Sequence, residues 1–219
     1  MKTMSGGFMH VLSYPSFEIK ALHRIIYYEG EAVFALLRLY ALDQQEVWLD
    51  EAKRSLDYFI ENDNWKHHDH WLSYAANEIT EYDPSDKYFI FGLKNCNNRL
   101  DFIYRRDTTY PTFLELLMAA YKLKNKIKRL NKEYLLEYVD GDFLTQTIDR
   151  RAEYQRVGYF YPEVAMYMKN PGLILHGFFV RHHSFRVRID DVEHYLSGYC
   201  QFMQQRMPEL ELALEINDI

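Results

Sequence analysis

Three polar clusters in the chain hold side chains able to move protons or grip a charged ligand. The densest runs from Arg181 to Tyr195, RHHSFRVRIDDVEHY, with three Arg, three His, two Asp and one Glu in fifteen positions. Phe185, Val187, Ile189 and Val192 are interleaved with these charges and read as buried. A buried charge needs a partner, so the run implies an organised network of ion pairs and hydrogen bonds. With residues 189–206 helical, Asp191 and His194 stand at i, i+3, and Asp190 and His194 at i, i+4. A carboxylate beside an imidazole orients the ring and raises its pKa. Asp191 and His194 are therefore candidate catalytic residues, a proton shuttle for epimerisation, elimination or hydrolysis. Arg181, Arg186 and Arg188 could hold a substrate carboxylate or phosphate bidentately, with His183 and Asp190 beside them in the substrate-binding set. The competing reading is a structural network that closes the last hairpin on the first.

The second cluster is Tyr27-Tyr28-Glu29-Gly30-Glu31. A carboxylate here could bind a sugar hydroxyl or act as an acid or base, which makes Glu31 a third catalytic candidate and Tyr28 a substrate-binding one. Carboxylates also favour a helix N-terminus through the macrodipole, and that alone accounts for one of the two glutamates. The third cluster, Trp65-Lys66-His67-His68-Asp69-His70-Trp71, packs three His and one Asp into four consecutive residues. It reads as a polar rim between aromatic walls, with His70 and Trp71 touching substrate, or as metal ligands with His67 and His70 at i, i+3. There is no H-E-x-x-H, so no metal site is assigned. Asp69 could equally cap a helix over 70–82. Glu115 lies inside an apolar helical run, as a pocket acid or an exposed position. Tyr159-Phe160-Tyr161-Pro162-Glu163 is an aromatic loop suited to sugar stacking or to plain packing. The sequence has no Gly-rich phosphate loop, G-x-S-x-G or C-x-x-C, so no cofactor is expected.

The elements that must position these residues are helical. Apolar residues recur at helical spacing over 29–42, 46–61, 70–82, 87–104, 112–130, 143–157 and 189–206, with Asp43-Gln44-Gln45, Asn62-Asp63-Asn64, Asp83-Pro84-Ser85-Asp86 and Asp140-Gly141-Asp142 as breaks. Short breaks between helices make antiparallel hairpins. The lysines between 122 and 128 read as a solvated helix face. Residues 178–189 are the one plausible extended stretch. No linker rich in Gly, Pro or Ser interrupts the chain, so residues 1–206 read as a single helical-hairpin domain and 207–219 as a frayed acidic tail.

Composition narrows the function classes. The 219 residues are 48% hydrophobic and 26% charged, which is globular. A net charge of −6 speaks against a nucleic-acid partner. No apolar run approaches the ~20 residues of a membrane span. Two cysteines and no secretory signal fit a cytoplasmic protein. Aromatics reach 16%, with 19 Tyr, and Tyr pairs a flat apolar face with a polar tip that suits a sugar ring or a peptide.

Gly6-Gly7-Phe8, then Glu29-Gly30-Glu31-Ala32 opening a helix, Leu39-Tyr40, Trp48-Leu49 and Ala52 together resemble the (α/α)-toroid superfamily of six-hairpin glycosidases, sugar epimerases and polysaccharide lyases. The resemblance covers residues 6–60 well and the later hairpins in rhythm. It implies an all-α fold of antiparallel helical hairpins forming a partial or incomplete (α/α) toroid. A full toroid has about six hairpins against four or five here, so the chain reads as the C-terminal portion of a larger bacterial protein, with that protein's other domains as possible partners. The function expected is a carbohydrate-active protein that acts on or binds an acidic or amino sugar by His/Asp/Glu acid–base chemistry, as epimerase, lyase or glycoside hydrolase. The alternative is a non-catalytic helical scaffold or a glycan- or protein-binding domain.

Overall fold

The computed structural model describes residues 3–21 and 26–217; the first two residues of the chain and the last two of the expected tail lie outside them. The fold is mostly helical, 70% helix and 5% strand, with eleven α-helices among the described residues. A short antiparallel hairpin, β1 (Val11–Leu12) and β2 (Ile19–Ala21), precedes them. The helices are α1 (Ile26–Asp43), α2 (Glu46–Glu61), α3 (His70–Tyr82), α4 (Asp86–Asn97), α5 (Leu100–Arg105), α6 (Thr112–Arg129), α7 (Gly141–Gln155), α8 (Pro162–Ala165), α9 (Pro171–Ile174), α10 (Ile189–Gln205) and α11 (Met207–Asn217). None is long and apolar enough to cross a membrane.

Most helix bounds follow from amphipathic spacing and local stops. α2 buries Leu49, Ala52, Leu56 and Phe59 on one stripe. Asp69 caps α3 by accepting from the backbone N–H groups of Trp71 and Leu72. The single helix expected over 87–104 is broken at Asn98-Arg99 into α4 and α5. The acidic tail is not frayed at 207–217 but forms α11. The β-hairpin has no counterpart in the sequence pattern, because strands of two and three residues are too short to show alternation.

Where the sequence reads as one domain, Cα packing separates two compact units. Unit 1 comprises Met1–Arg99 and Ala119–Gly141, and unit 2 comprises Leu100–Met118 and Asp142–Ile219. A unit built from two chain segments leaves no linker for composition to reveal.

The core of unit 1 joins Val33 and Leu37 of α1, Leu56 and Phe59 of α2, Leu72 and Ile79 of α3 and Phe91 of α4. α1 packs along both α2 and α3. Lys126, expected on a solvated face, is buried. Its ammonium donates to Asn77 O at 2.8 Å, Asn77 Oδ1 at 3.0 Å and Thr80 Oγ1 at 2.8 Å, and pairs with Glu81 at 2.7 Å, fastening α6 to α3. Burial pushes its pKa down, against the pull of Glu81.

In unit 2 the fully buried Arg151 of α7 plays a similar part. Its guanidinium donates to the carbonyls of Ile103, Arg106 and Thr108 at and beyond the end of α5. The hydroxyl of Tyr195 on α10 donates to the carbonyls of Thr109 and Phe179. A smaller apolar cluster gathers Phe160, Ala165 and Phe179.

Candidate functional site

The N-terminal segment brings the first functional side chain into unit 1. A tight turn ties Thr3 N–H to Gly7 O at 2.7 Å. Gly6 sits in it at φ +105°, where a Cβ would come within 2.5 Å of Arg54 O, so glycine is required there. Phe8 then lies against Phe59, with ring centroids 6.3 Å apart. His10 comes next on this wall, its ring centroid 5.8 Å from that of Tyr28. His10 Nε2 lies 3.7 Å from Glu29 Oε1, and the two side chains are only 3% and 6% exposed. That separation is longer than a direct hydrogen bond.

Two cavities of about 460 Å³ each flank this segment, and Phe8, Met9 and His10 line both. Each volume lies within the ~300–1,000 Å³ typical of small-molecule sites. Glu29, Tyr58, Asn64 and His67 complete much of the first cavity. Tyr28, Glu31, Ala32 and Ala35 complete the second.

A third carboxyl group stands behind the two glutamates. A Cβ on Gly30 would fall 2.6 Å from Asp69 Oδ2, so the bare glycine lets α1 press directly on the cap of α3. Burial pushes the Asp69 carboxyl up to about 7; its two cap hydrogen bonds oppose the shift, and the charges of Glu31 and Glu29 add to it. His70 Nδ1 lies 3.4 Å from Asp69 Oδ1. Trp71 is half-buried against Phe34, with centroids 6.0 Å apart.

The expected i, i+3 pairing of His67 and His70 does not form. His67 ends a 3-10 turn, and His68 at φ +53° separates it from α3. His68 Nδ1 instead sits 2.8 Å from Asn95 O. Burial outweighs that bond and lowers its pKa.

The expected residues thus fall into two groups. Tyr28, Glu31, His70 and Trp71 belong to unit 1, where Tyr28 and Glu31 line a cavity. Arg181, His183, Arg186, Arg188, Asp190, Asp191 and His194 belong to unit 2.

The unit 2 cluster is wired differently from the expectation. Phe185 and Val187 are each 46% exposed and Ile189 is 91% exposed, so they do not bury the charges between them. Asp191 does not serve His194. It accepts from Arg186 Nε at 3.1 Å and Nη2 at 3.2 Å, a bidentate pair. Asp190 pairs with Arg188 at the surface. His194 instead sets Nδ1 2.8 Å from Glu115 Oε2, whose side chain is 1% exposed. Burial of His194 is the largest single effect and works against its charge, but Glu115, Glu193 and Asp190 together outweigh it and raise its pKa.

Arg181 and His183 are exposed in a 3-10 turn. The extended stretch over 178–189 reduces to two isolated bridges, Tyr159 with Phe178 and Val180 with Arg186.

Sequence reasoning misses His10 altogether. The residue belongs to no cluster, and the turn at Gly6-Gly7 that delivers it is the only available signal. The toroid resemblance takes that turn as a fold marker and assigns the nearby histidine no role. Elsewhere, Asn77 is engaged by Lys126 at 3.0 Å and Glu78 by Arg38 at 2.9 Å. Comparison with protein-family models, with curated proteins and with solved structures finds no match to this chain.

Proposed function

We propose that unit 1 carries an acid–base site of a carbohydrate-active protein, with His10 and Glu29 as its proton-handling pair. The observation that carries the reading is the buried His10–Glu29 contact on a segment shared by two ligand-sized cavities. An imidazole and a carboxylate held together in a partly desolvated hollow can pass a proton to or from a bound hydroxyl or ring carbon. Phe8, Tyr28 and Tyr58 offer ring faces for a pyranose. The resemblance of residues 6–60 to (α/α)-toroid enzymes supports the same reading, and on this proposal the hairpins belong to a partial toroid. Epimerisation, elimination and hydrolysis of an acidic or amino sugar are the reactions in view.

The test is turnover and binding with a panel of uronic and amino sugars. His10→Ala and Glu29→Gln should each cut turnover about 10²–10⁴-fold while the thermal midpoint and circular dichroism stay near wild type. Full turnover in both variants would end the acid–base reading.

A second reading, a non-catalytic glycan- or protein-binding scaffold, is supported by unit 2. There Arg186 and Arg188 are engaged by Asp191 and Asp190, as in a structural network. Binding of sugar without turnover, lost in the same two variants, would favour it.

A further inference from the structure

We propose that the stretch from Val164 to Ile189 in unit 2 is a docking face for an anionic membrane surface, on which the chain lies without spanning it. The inference is independent of the sugar site read in unit 1.

Charge singles this stretch out. Between Glu163 and Asp190 the chain has no Asp or Glu but carries Lys169, Arg181, Arg186 and Arg188, although its overall net charge is −6. Arg186 and Arg188 are matched by Asp191 and Asp190. Lys169 and Arg181 are exposed and form no ion pair among the described residues.

The apolar residues of the stretch are sorted by side. Val164, Ala165, Met168 and Ile174 pack with Phe160 and Phe179. Met166, Tyr167 and Leu173, on the same short turns, are instead 64%, 81% and 85% exposed. α8 and α9 thus present apolar side chains outward as well as inward. The backbone holds this face in place. Phe160 N–H donates to Gly177 O at 2.9 Å, His176 N–H to Phe160 O at 3.1 Å and Phe179 N–H to Gly158 O at 2.7 Å. Val180 N–H donates to Arg186 O at 2.9 Å and closes the turn that carries Arg181.

Protruding apolar side chains with cations beside them suit a bilayer. A protein partner needs a socket shaped for each one, whereas the headgroup boundary deforms around them. Tyrosine is favoured at that boundary, with its ring buried and its hydroxyl in water. Lysine and arginine there meet anionic headgroups. The remaining chain is acidic and would be repelled by the same headgroups, so contact is confined to this stretch.

Cosedimentation of the full chain with phosphatidylcholine vesicles, with and without about one third phosphatidylserine, tests the proposal. Vesicles containing phosphatidylserine should bind about tenfold more tightly at low salt, and the preference should shrink as salt is raised. Lys169→Gln combined with Arg181→Gln should remove most of that preference. Tyr167→Ser and Leu173→Ser should each weaken binding severalfold, and together about tenfold, with thermal midpoints near wild type. The single variants decide the matter if the double one is unstable. Leu42→Ser, which alters a side chain 82% exposed at the end of α1, is the control and should change nothing. No binding to either vesicle, equal binding to both, or an equal loss from Leu42→Ser overturns the proposal. Retention on immobilised polyglutamate without vesicle binding also overturns it, and assigns the face to an acidic protein.

Discussion

Asp69 is drawn two ways. As the N-cap of α3 it serves best ionised, since the helix dipole and two backbone N–H groups favour a carboxylate. Burial beside Glu29 and Glu31 favours the neutral acid, and the carboxyl titrates at about 7 in place of the ~3.9 of a free aspartate. Because the folded value is the higher one, the group stabilises the fold fully below about pH 4 and loses that contribution as pH rises through about 7. Its share of the pH profile is thus a decline in stability between about pH 4 and pH 7, complete above that. Asp69→Asn keeps an oxygen for the cap but cannot ionise, so melting curves between pH 4 and 9 should show a flatter profile for the variant. Parallel profiles would mean that Asp69 titrates normally.

His194 gives a test of the same sign in unit 2. Glu115 holds its pKa up against burial, so the charged pair stabilises the fold below the ordinary histidine range of ~6.5 and fades as pH rises through the folded value. Glu115→Gln should lower the His194 pKa in an NMR titration of its ring protons. An unmoved midpoint would show that the neighbouring acids, Glu193 and Asp190, set it instead. Helical spacing points His194 to Asp191 on its own helix. Its actual partner lies on α6, and no local periodicity can select a residue from another helix.

At the scale of elements, the local chemistry was the readable part. The bounds of α2, α3 and α6 follow from stripes such as Leu49, Ala52 and Leu56, and from stop signals such as Asn62-Asp63-Asn64 and the cap Asp69. What could not be read is how closely two elements approach. Nothing about Gly30 in sequence says that α3's cap rests on it. Gly30→Ala would drive a methyl group into Asp69 Oδ2, Leu72 N and Trp71 Cβ, all at 2.6 Å. Overpacking of this kind costs about 1–3 kcal/mol, which urea unfolding would register. A variant as stable as wild type would mean that α1 and α3 can separate freely.

Lys126 makes the same point with opposite chemistry, since alternating lysines in sequence look solvated. Its ammonium satisfies Asn77 O and Thr80 Oγ1 on α3, so Lys126→Met should cost roughly 2 kcal/mol by leaving those acceptors without it. The neighbouring Lys128→Met serves as the control and should change little. Similar losses from both would assign Lys126 no special part.

For the whole molecule, the decisive feature is that neither unit is a continuous stretch of chain. The chain passes from unit 1 to unit 2 after Arg99, returns at Ala119 and leaves again after Gly141. Leu123, packed on Gly92, and the fully buried Ile127 belong to unit 1 although they come after the first excursion. A fragment of residues 1–99 should therefore lack a cooperative thermal transition, while one of residues 1–141 should recover secondary structure and a sharper melt. Equal cooperativity in the two would show that α6 is dispensable to the first unit.

Synthesis on the ribosome meets the same interleaving in time. When the nascent chain has emerged as far as Arg99, the groove at Ala76 and Gly92 that Leu123 will fill is still open to water. The candidate site, with His10, Glu29 and Glu31 already translated, rests on a half-assembled support until α6 arrives. During that interval an apolar surface is on offer to chaperones and to neighbouring nascent chains, so slow translation between residues 100 and 130 should lower the yield of native protein more than an equal delay after residue 141.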